Sequence, residues 1–117
     1  MVEREENVVD GIRYAYSTGS KKAILIKAET INEDGSVDIP SSITFEENGD
    51  AYEVTAIDKS AFSGNTDIKK VIIQGSVRTI GADAFLGCTN LTMVELPSTL
   101  TTIGTGAFDG CISLTDV

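Results

Sequence analysis

Leu91-Thr92-Met93-Val94-Glu95-Leu96-Pro97-Ser98-Thr99-Leu100-Thr101-Thr102-Ile103-Gly104-Thr105-Gly106-Ala107-Phe108-Asp109-Gly110-Cys111 decides how this chain folds, because its landmarks recur upstream without a gap. Val54, Val77 and Leu100 make one column, and Ile57, Ile80 and Ile103 the next. Ala61-Phe62, Ala84-Phe85 and Ala107-Phe108 make a third. The register runs on through Gly64, Gly87 and Gly110, then Asn65, Cys88 and Cys111, then Ile68, Leu91 and Leu114, and ends with Val71, Val94 and Val117. The step is 23 residues, as from Phe62 to Phe85 to Phe108. A unit so short cannot bury its own apolar side, so neighbouring units must stack to make a core.

Each unit has a legible interior. Alternation over Leu91–Pro97 points Val94 and Leu96 inward and Met93 and Glu95 outward. Pro97 lacks the amide a ladder needs and ends the strand. Leu100 and Ile103 begin an extended return path. Gly104 to Cys111 is expected to hold one tight helical turn that drops Phe108 into the core, with Gly110 as its left-handed closing residue. Each buried Phe, Leu or Ile contributes about 1.5–3 kcal/mol. The predicted core columns are therefore Ile57, Ile80 and Ile103, Phe62, Phe85 and Phe108, Val71 and Val94, with Cys88 and Cys111.

The period reaches back past the regular units. Val37-Asp38-Ile39-Pro40 matches Val94-Glu95-Leu96-Pro97 in pattern, but Val37 precedes Val71 by one period plus 11 residues. The excess fits a hairpin: Ile43-Thr44-Phe45, a turn at 46–50, then Ala51 to Thr55. Upstream, Gly11–Tyr16 and Lys22–Ala28 flank the turn Ser17-Thr18-Gly19-Ser20 and read as a second hairpin. It would cap a stack whose first turn otherwise exposes its apolar face. The reading divides the chain into a frayed tail at 1–10, a cap hairpin and irregular first turn at 11–53, and three repeats at 54–117, the last truncated. The fold class is a β-rich solenoid with few short helical turns.

Composition narrows the function. The 117 residues carry 18 acids, 9 bases and no histidine, a net charge of −9. Through Glu53 there are 12 acids and 5 bases; beyond it, 6 and 4. Phosphate backbones and anionic lipid are repelled by such a chain, so nucleic acid and membrane surfaces are poor partners. No apolar run approaches the roughly 20 residues of a membrane-spanning helix. The first residues, Met1-Val2-Glu3-Arg4-Glu5-Glu6, lack the apolar core of a secretion signal. Either the protein is intracellular or a signal has been removed and Met1 added.

The residues Leu91–Pro97, Leu100–Gly104 and Ala107–Cys111 resemble the BspA-type leucine-rich repeat family, whose pattern recurs three times here. Asp10–Tyr14, Val37–Pro40 and Tyr52–Ile57 are similar to the family's lead-in, so the resemblance covers residues 10–117. Two positions depart from it: Asp58 stands where Gly81 and Gly104 stand, and Asn65 where Cys88 and Cys111 do. The resemblance implies a right-handed leucine-rich-repeat superhelix and an exported or surface-attached bacterial protein. It implies a role in binding host matrix or other cell-surface proteins, with no shared catalytic residue or cofactor. It also makes this chain, which stops at Val117 in mid-strand, look like a fragment of a longer solenoid. The alternative role is a structural spacer attached to another functional domain.

Candidate sites follow from the stack. The outward face of the strand ladder is free of packing duty. It should present Ser36, Asp38, Lys70, Ile72, Gln74, Met93 and Glu95, with Thr92 and Asp116 at its margin, to a protein partner. Ile72 and Met93 form a small apolar patch or are simply scattered exposed residues, which are common. Cys88 and Cys111 share a column: neighbouring turns bring them within disulfide range, or they remain two buried thiols against the Phe of their own turns. Asn32–Asp38 alternates oxygen donors around a glycine like a calcium loop, but the twelfth position is Ile43 and not an acid, so a plain turn is expected. Gly104-Thr105-Gly106 with Gly110 misses the nucleotide-binding spacing. Glu46-Glu47 sits at a turn tip, where carboxylates stay solvated. Without histidine there is no Ser-His-Asp or Cys-His chemistry, and no enzyme activity, metal or cofactor is expected. The unfinished last turn, with Phe108 and Leu114, predicts end-to-end self-association.

Overall fold

A computed structural model describes residues 5–44 and 49–115. Ten strands appear among them: β1 (Glu5–Val9), β2 (Ile12–Ser17), β3 (Lys22–Ala28), β4 (Ser36–Ile39), β5 (Ser42–Thr44), β6 (Ala51–Ile57), β7 (Lys70–Ile73), β8 (Thr79–Ile80), β9 (Met93–Glu95) and β10 (Thr102–Ile103). They form two sheets. The larger has the order β1-β2-β3-β6-β8-β10 with β5 attached to β6, and the smaller the order β4-β7-β9.

The sequence columns become strand registers. Ile57 pairs with Ile80 and Ile80 with Ile103, in parallel. Val37 pairs with Val71 and Val71 with Val94 on the other sheet. Threonines reinforce the step: Thr92 Oγ1 donates to the Lys69 carbonyl at 3.0 Å and Thr101 Oγ1 to the Arg78 carbonyl at 3.0 Å, each 23 residues back. The chain thus alternates between the two sheets as it climbs, a solenoid-like repeat fold rich in strands.

The link from the larger sheet to the smaller is not helical, in contrast to the sequence expectation. At 58–65 the amides of Ala61, Ser63 and Asn65 donate to carbonyls three residues back. The alternate amides of Ser60, Phe62 and Gly64 donate instead to Ala82, Ala84 and Leu86 of the next turn, at 3.0, 2.7 and 2.6 Å. A helix would direct these amides to carbonyls within its own segment. Here Ser60 (φ +59°) and Gly64 (φ +74°) reverse the backbone twice, and so do Asp83 with Gly87 and Gly106 with Gly110. The result is a run of β-turns that is itself a ladder between units.

This ladder carries the aromatic column. The Phe62 and Phe85 rings lie 4.9 Å apart and tilted by 4°; Phe85 and Phe108 lie 5.2 Å apart and tilted by 2°. Phe62, Phe85, Ile57, Ile80, Val71, Val94 and Cys88 are buried. Phe108 and Cys111 are half-buried, and Ile103, expected in the core, is 47% exposed. These three belong to the turn at the open edges of both sheets among the described residues.

The beginning of the chain holds another difference. Instead of a frayed tail, Glu5–Val9 pairs antiparallel with β2, from Glu5 opposite Tyr16 to Val9 opposite Ile12. The expected hairpin of β2 and β3 forms, and β3 then pairs in parallel with β6, setting Leu25 beside Ile57. Leu25 thereby extends the isoleucine column by one level. The inserted hairpin is present as β5 antiparallel to β6, Ile43 opposite Tyr52. The expected turn at 46–50, with Glu46-Glu47, lies mostly outside the described residues.

The two departures from the repeat pattern have structural reasons. A Cβ on Gly81 would lie 2.6 Å from the Lys59 amide nitrogen, and one on Gly104 would meet Ala82. Those glycines let one turn's backbone rest on the last. Below Asp58, β3 continues straight to Ala28, so no turning backbone crowds that position. The thiols of Cys88 and Cys111 donate to the Phe62 and Phe85 carbonyls of the turn below, each at 3.1 Å. Among the described residues no such phenylalanine turn lies below Asn65, and its side chain instead accepts the Asp67 amide at 3.0 Å.

Candidate protein-binding surface

The smaller sheet builds the outward face from three strands in register. Ser36, Lys70 and Met93 form one row; Asp38, Ile72 and Glu95 form the next. Alternation along each strand sends Val37, Val71 and Val94 inward and leaves these rows outside. Lys70, Asp38 and Glu95 are exposed, while Ser36, Ile72 and Met93 are half-buried. Gln74 joins the face by donating to Asp38 Oδ1 at 2.9 Å. Thr92 is exposed, but its hydroxyl is committed to the Lys69 carbonyl. Asp116 lies outside the described residues.

Ile72 and Met93 sit on adjacent strands one row apart, which makes them diagonal neighbours on the face. Asp38 and Glu95 flank Ile72, and Lys70 flanks Met93. The face is therefore an apolar pair within a mixed-charge frame. The outer side of the larger sheet is different. There Arg13 pairs with Glu29 at 2.7 Å, Lys21 with Asp50 at 3.0 Å and Lys22 with Glu53 at 3.0 Å. Those pairings raise the pKa of Arg13 and Lys21 and lower that of Glu29, in each case mainly through the hydrogen bond to the partner.

The other sequence candidates resolve plainly. Cys88 and Cys111 are both free thiols, so the disulfide reading gives way to two parallel side chains bonded to the turn below. Burial pushes the Cys88 thiol up to about 11 and raises Cys111 as well. Asn32–Asp38 is a turn closed on itself. Asp34 Oδ1 accepts both the Ser36 amide at 2.9 Å and its hydroxyl at 2.7 Å, which lowers the Asp34 pKa. Gly35 holds φ +82° there. Among the described residues no cluster of acids and thiols could hold a metal ion, and no helix is long and apolar enough to cross a membrane.

One feature escaped the sequence reading altogether. A cleft of about 700 Å³ opens between the end of β1, the inner face of β2 and the edge of β4, with Asp10 and Tyr14 among its lining residues. Asp10, Ile12 and Tyr14 belong to no column, because the cleft exists where the periodic stack gives way to the hairpin; Ser36, Val37, Asp38 and Gln74 line it from the side of the smaller sheet.

Parallel ladders stepping by 23 residues, turn-to-turn bonding and a stacked aromatic column define a leucine-rich-repeat solenoid. Residues 35–117 match the family described as BspA type leucine rich repeat region (6 copies), and the chain belongs to that family. No curated protein matches it. Among solved structures it is similar to a leucine rich cell surface protein from Faecalibacterium prausnitzii (25% identity, TM-score 0.83, covering 99% of this chain and 31% of that one). It is similar also to a leucine-rich repeat protein from Bacteroides ovatus (27% identity, TM-score 0.84, 95% and 29% covered). A third is the leucine rich repeat protein of T. pallidum (31% identity, TM-score 0.79, 97% and 50% covered). The chain thus spans a third or less of the first two and half of the third.

Proposed function

We propose that this chain is a non-enzymatic protein-binding segment of a secreted or cell-surface bacterial protein. Membership of the BspA-type family supports this reading, as does the likeness to a protein described as a cell surface protein. The observation that carries it is the outward ladder face, where Ile72 and Met93 are held by the sheet but take no part in the core. In this reading the turns wind as a right-handed superhelix. Residues 11–53 serve as cap and irregular first turn, and 54–117 as the binding repeats.

Size decides how much this segment does alone. Three strands about 4.8 Å apart and three or four residues long present roughly 150–200 Å² of footprint. A stable interface takes about 800 Å² per partner. The segment therefore supplies a fraction of a docking surface, and adhesion to matrix or other cell-surface proteins needs adjoining turns. A second reading, a spacer that presents another domain, draws on length: the three structures named above are about two to three times as long as this chain.

Surface plasmon resonance of the chain against matrix and plasma proteins tests the reading. Specific binding weakened at least fivefold by Ile72→Glu with Met93→Glu supports the ladder face. Binding indifferent to both substitutions points to the spacer role.

A further inference from the structure

The two sheets do not start at the same level. The larger continues past β6 through β3, β2 and β1, whereas the smaller stops at β4. The overhanging hairpin encloses the 700 Å³ cleft beside the β4 edge. Ile12 and Tyr14 of β2, with Ile31 and Val37, make its apolar lining, and Asp10 and Asp38 stand among its polar residues.

The edge of β4 is set up to pair. The amides of Lys70 and Gln74 donate to the Gly35 and Ile39 carbonyls, and Val37 lies opposite Val71. In a parallel ladder alternate residues turn their main-chain groups to opposite sides. Gly35, Val37 and Ile39 therefore serve β7, while the amide and carbonyl of Asp38 and the carbonyl of Ser36 turn toward the cleft. Among the described residues no strand occupies that side.

Tyr14 is a second and independent sign. It is 1% exposed and lines the cleft. Among the described residues nothing hydrogen-bonds its hydroxyl, yet that oxygen is not sealed from the cleft. Burial, with help from the Asp10 carboxylate, raises its pKa, so it remains a protonated donor. Buried hydroxyls are normally partnered, and one left open in a cleft is poised for an acceptor from outside.

We propose that this cleft binds an extended cationic peptide, which adds as a strand to β4 and places a lysine or arginine between Asp10 and Asp38. The lining holds these two carboxylates and no basic residue, which gives the sign of the partner's charge. The Asp38 amide and the Ser36 and Asp38 carbonyls supply the main-chain bonds of strand addition. Ile12 and Val37 receive the peptide's alternate apolar side chains, and the Tyr14 hydroxyl donates to a peptide carbonyl. The four residues of β4 set the length read, about four to five residues.

The test is amide NMR titration of the 117-residue chain with four probes: acetylated, amidated Lys-Val-Lys-Val-Lys; the same peptide with glutamates for lysines; the lysine peptide with a central proline; and maltotriose. The lysine peptide should shift Tyr14, Ile31, Val37 and Asp38 saturably, leave Ile72, Met93 and Glu95 in place, and weaken at high salt. The glutamate and proline peptides should bind about tenfold more weakly or not at all. Tyr14→Phe should weaken the lysine peptide about threefold to tenfold with the spectrum otherwise preserved, and Asp10→Asn with Asp38→Asn at least as much. Equal binding of the glutamate peptide, saturation confined to the outward face, no saturable shift, or cleft shifts from maltotriose alone would each overturn the proposal. Because Ile72, Met93 and Glu95 report the ladder face separately, failure in the cleft leaves the ladder-face reading standing, and the reverse.

Discussion

Replacing Phe85 by alanine isolates what stacking contributes. Phe85 is fully buried and lies between two parallel rings, at 4.9 Å from Phe62 and 5.2 Å from Phe108. Truncating a buried phenylalanine costs about 3–5 kcal/mol. Within that cost lie two ring contacts, each worth about 0.5–1.5 kcal/mol beyond area burial. Phe108 has the same sequence context, yet it is half-buried with one ring neighbour, so Phe108→Ala should cost about 1.5–2.5 kcal/mol. Against a total stability of about 5–15 kcal/mol these are large and separable effects. With about 4–8 °C per kcal/mol for a domain near this size, Phe85→Ala should lower Tm by roughly 12–40 °C and Phe108→Ala by roughly 6–20 °C. Urea unfolding followed by circular dichroism gives the free energies and calorimetry the midpoints. Equal losses for the two variants, or a loss under about 1 kcal/mol for Phe85→Ala, would refute the reasoning, because position in the stack would then carry no energy.

Gly81→Ala should destabilise by about 1–3 kcal/mol, since its Cβ would press on the backbone of Asp58 and Lys59, which cannot swing away as a side chain can. Gly64→Ala, at φ +74° in open space, should cost only the left-handed penalty of about 1–2 kcal/mol; urea midpoints that rank the two the other way count against the close-approach account. At pH 8, iodoacetamide should modify Cys111 before Cys88, and both far more slowly than after unfolding; mass spectrometry showing Cys88 modified first contradicts the burial order. Because the folded Cys88 pKa is raised to about 11, the folded state holds its proton longer than the unfolded one. Stability should therefore fall as pH rises from about 9 toward 11, and Cys88→Ala should flatten that slope in urea titrations at several pH values. As an isolated 117-residue polypeptide the chain should self-associate at high concentration through its last turn, where Phe108 is half-buried and Ile112 is 82% exposed; light scattering that stays monomeric, with slow amide exchange through Leu114, goes against this.

The periodic part of the fold was readable because one physical demand repeats. A residue that must fill the gap between two stacked turns faces the same constraint every 23 positions, so Ile57, Ile80 and Ile103 share an identity and a column. Val37 could be matched to Val71 across an 11-residue insertion for the same reason. The turn run was misread because its decisive column is chemically mixed. Ser60, Asp83 and Gly106 share a positive φ, and only the glycine advertises it. The strand at Glu5–Val9 was missed because its own residues are mostly polar, and its order comes from pairing with β2. Side-chain bonds reinforce that pairing, from Tyr16 to Glu5 at 3.2 Å and between Arg13 and Glu6 at 3.6 Å. Alternation along β4, β7 and β9 is what sets Asp38, Lys70 and Glu95 on the side away from Val37, Val71 and Val94. Tyr14 and Asp10 were not singled out, since a cleft made where two sheets end at different levels leaves no periodic trace.

The central claim is that successive turns lie directly on one another, and ring-to-ring nuclear Overhauser contacts test it most directly. With phenylalanine-selective labelling, the account predicts cross-peaks from Phe85 to Phe62 and from Phe85 to Phe108, and none between Phe62 and Phe108, which are separated by the intervening ring. Absence of either Phe85 cross-peak, or a direct contact between Phe62 and Phe108, would contradict it.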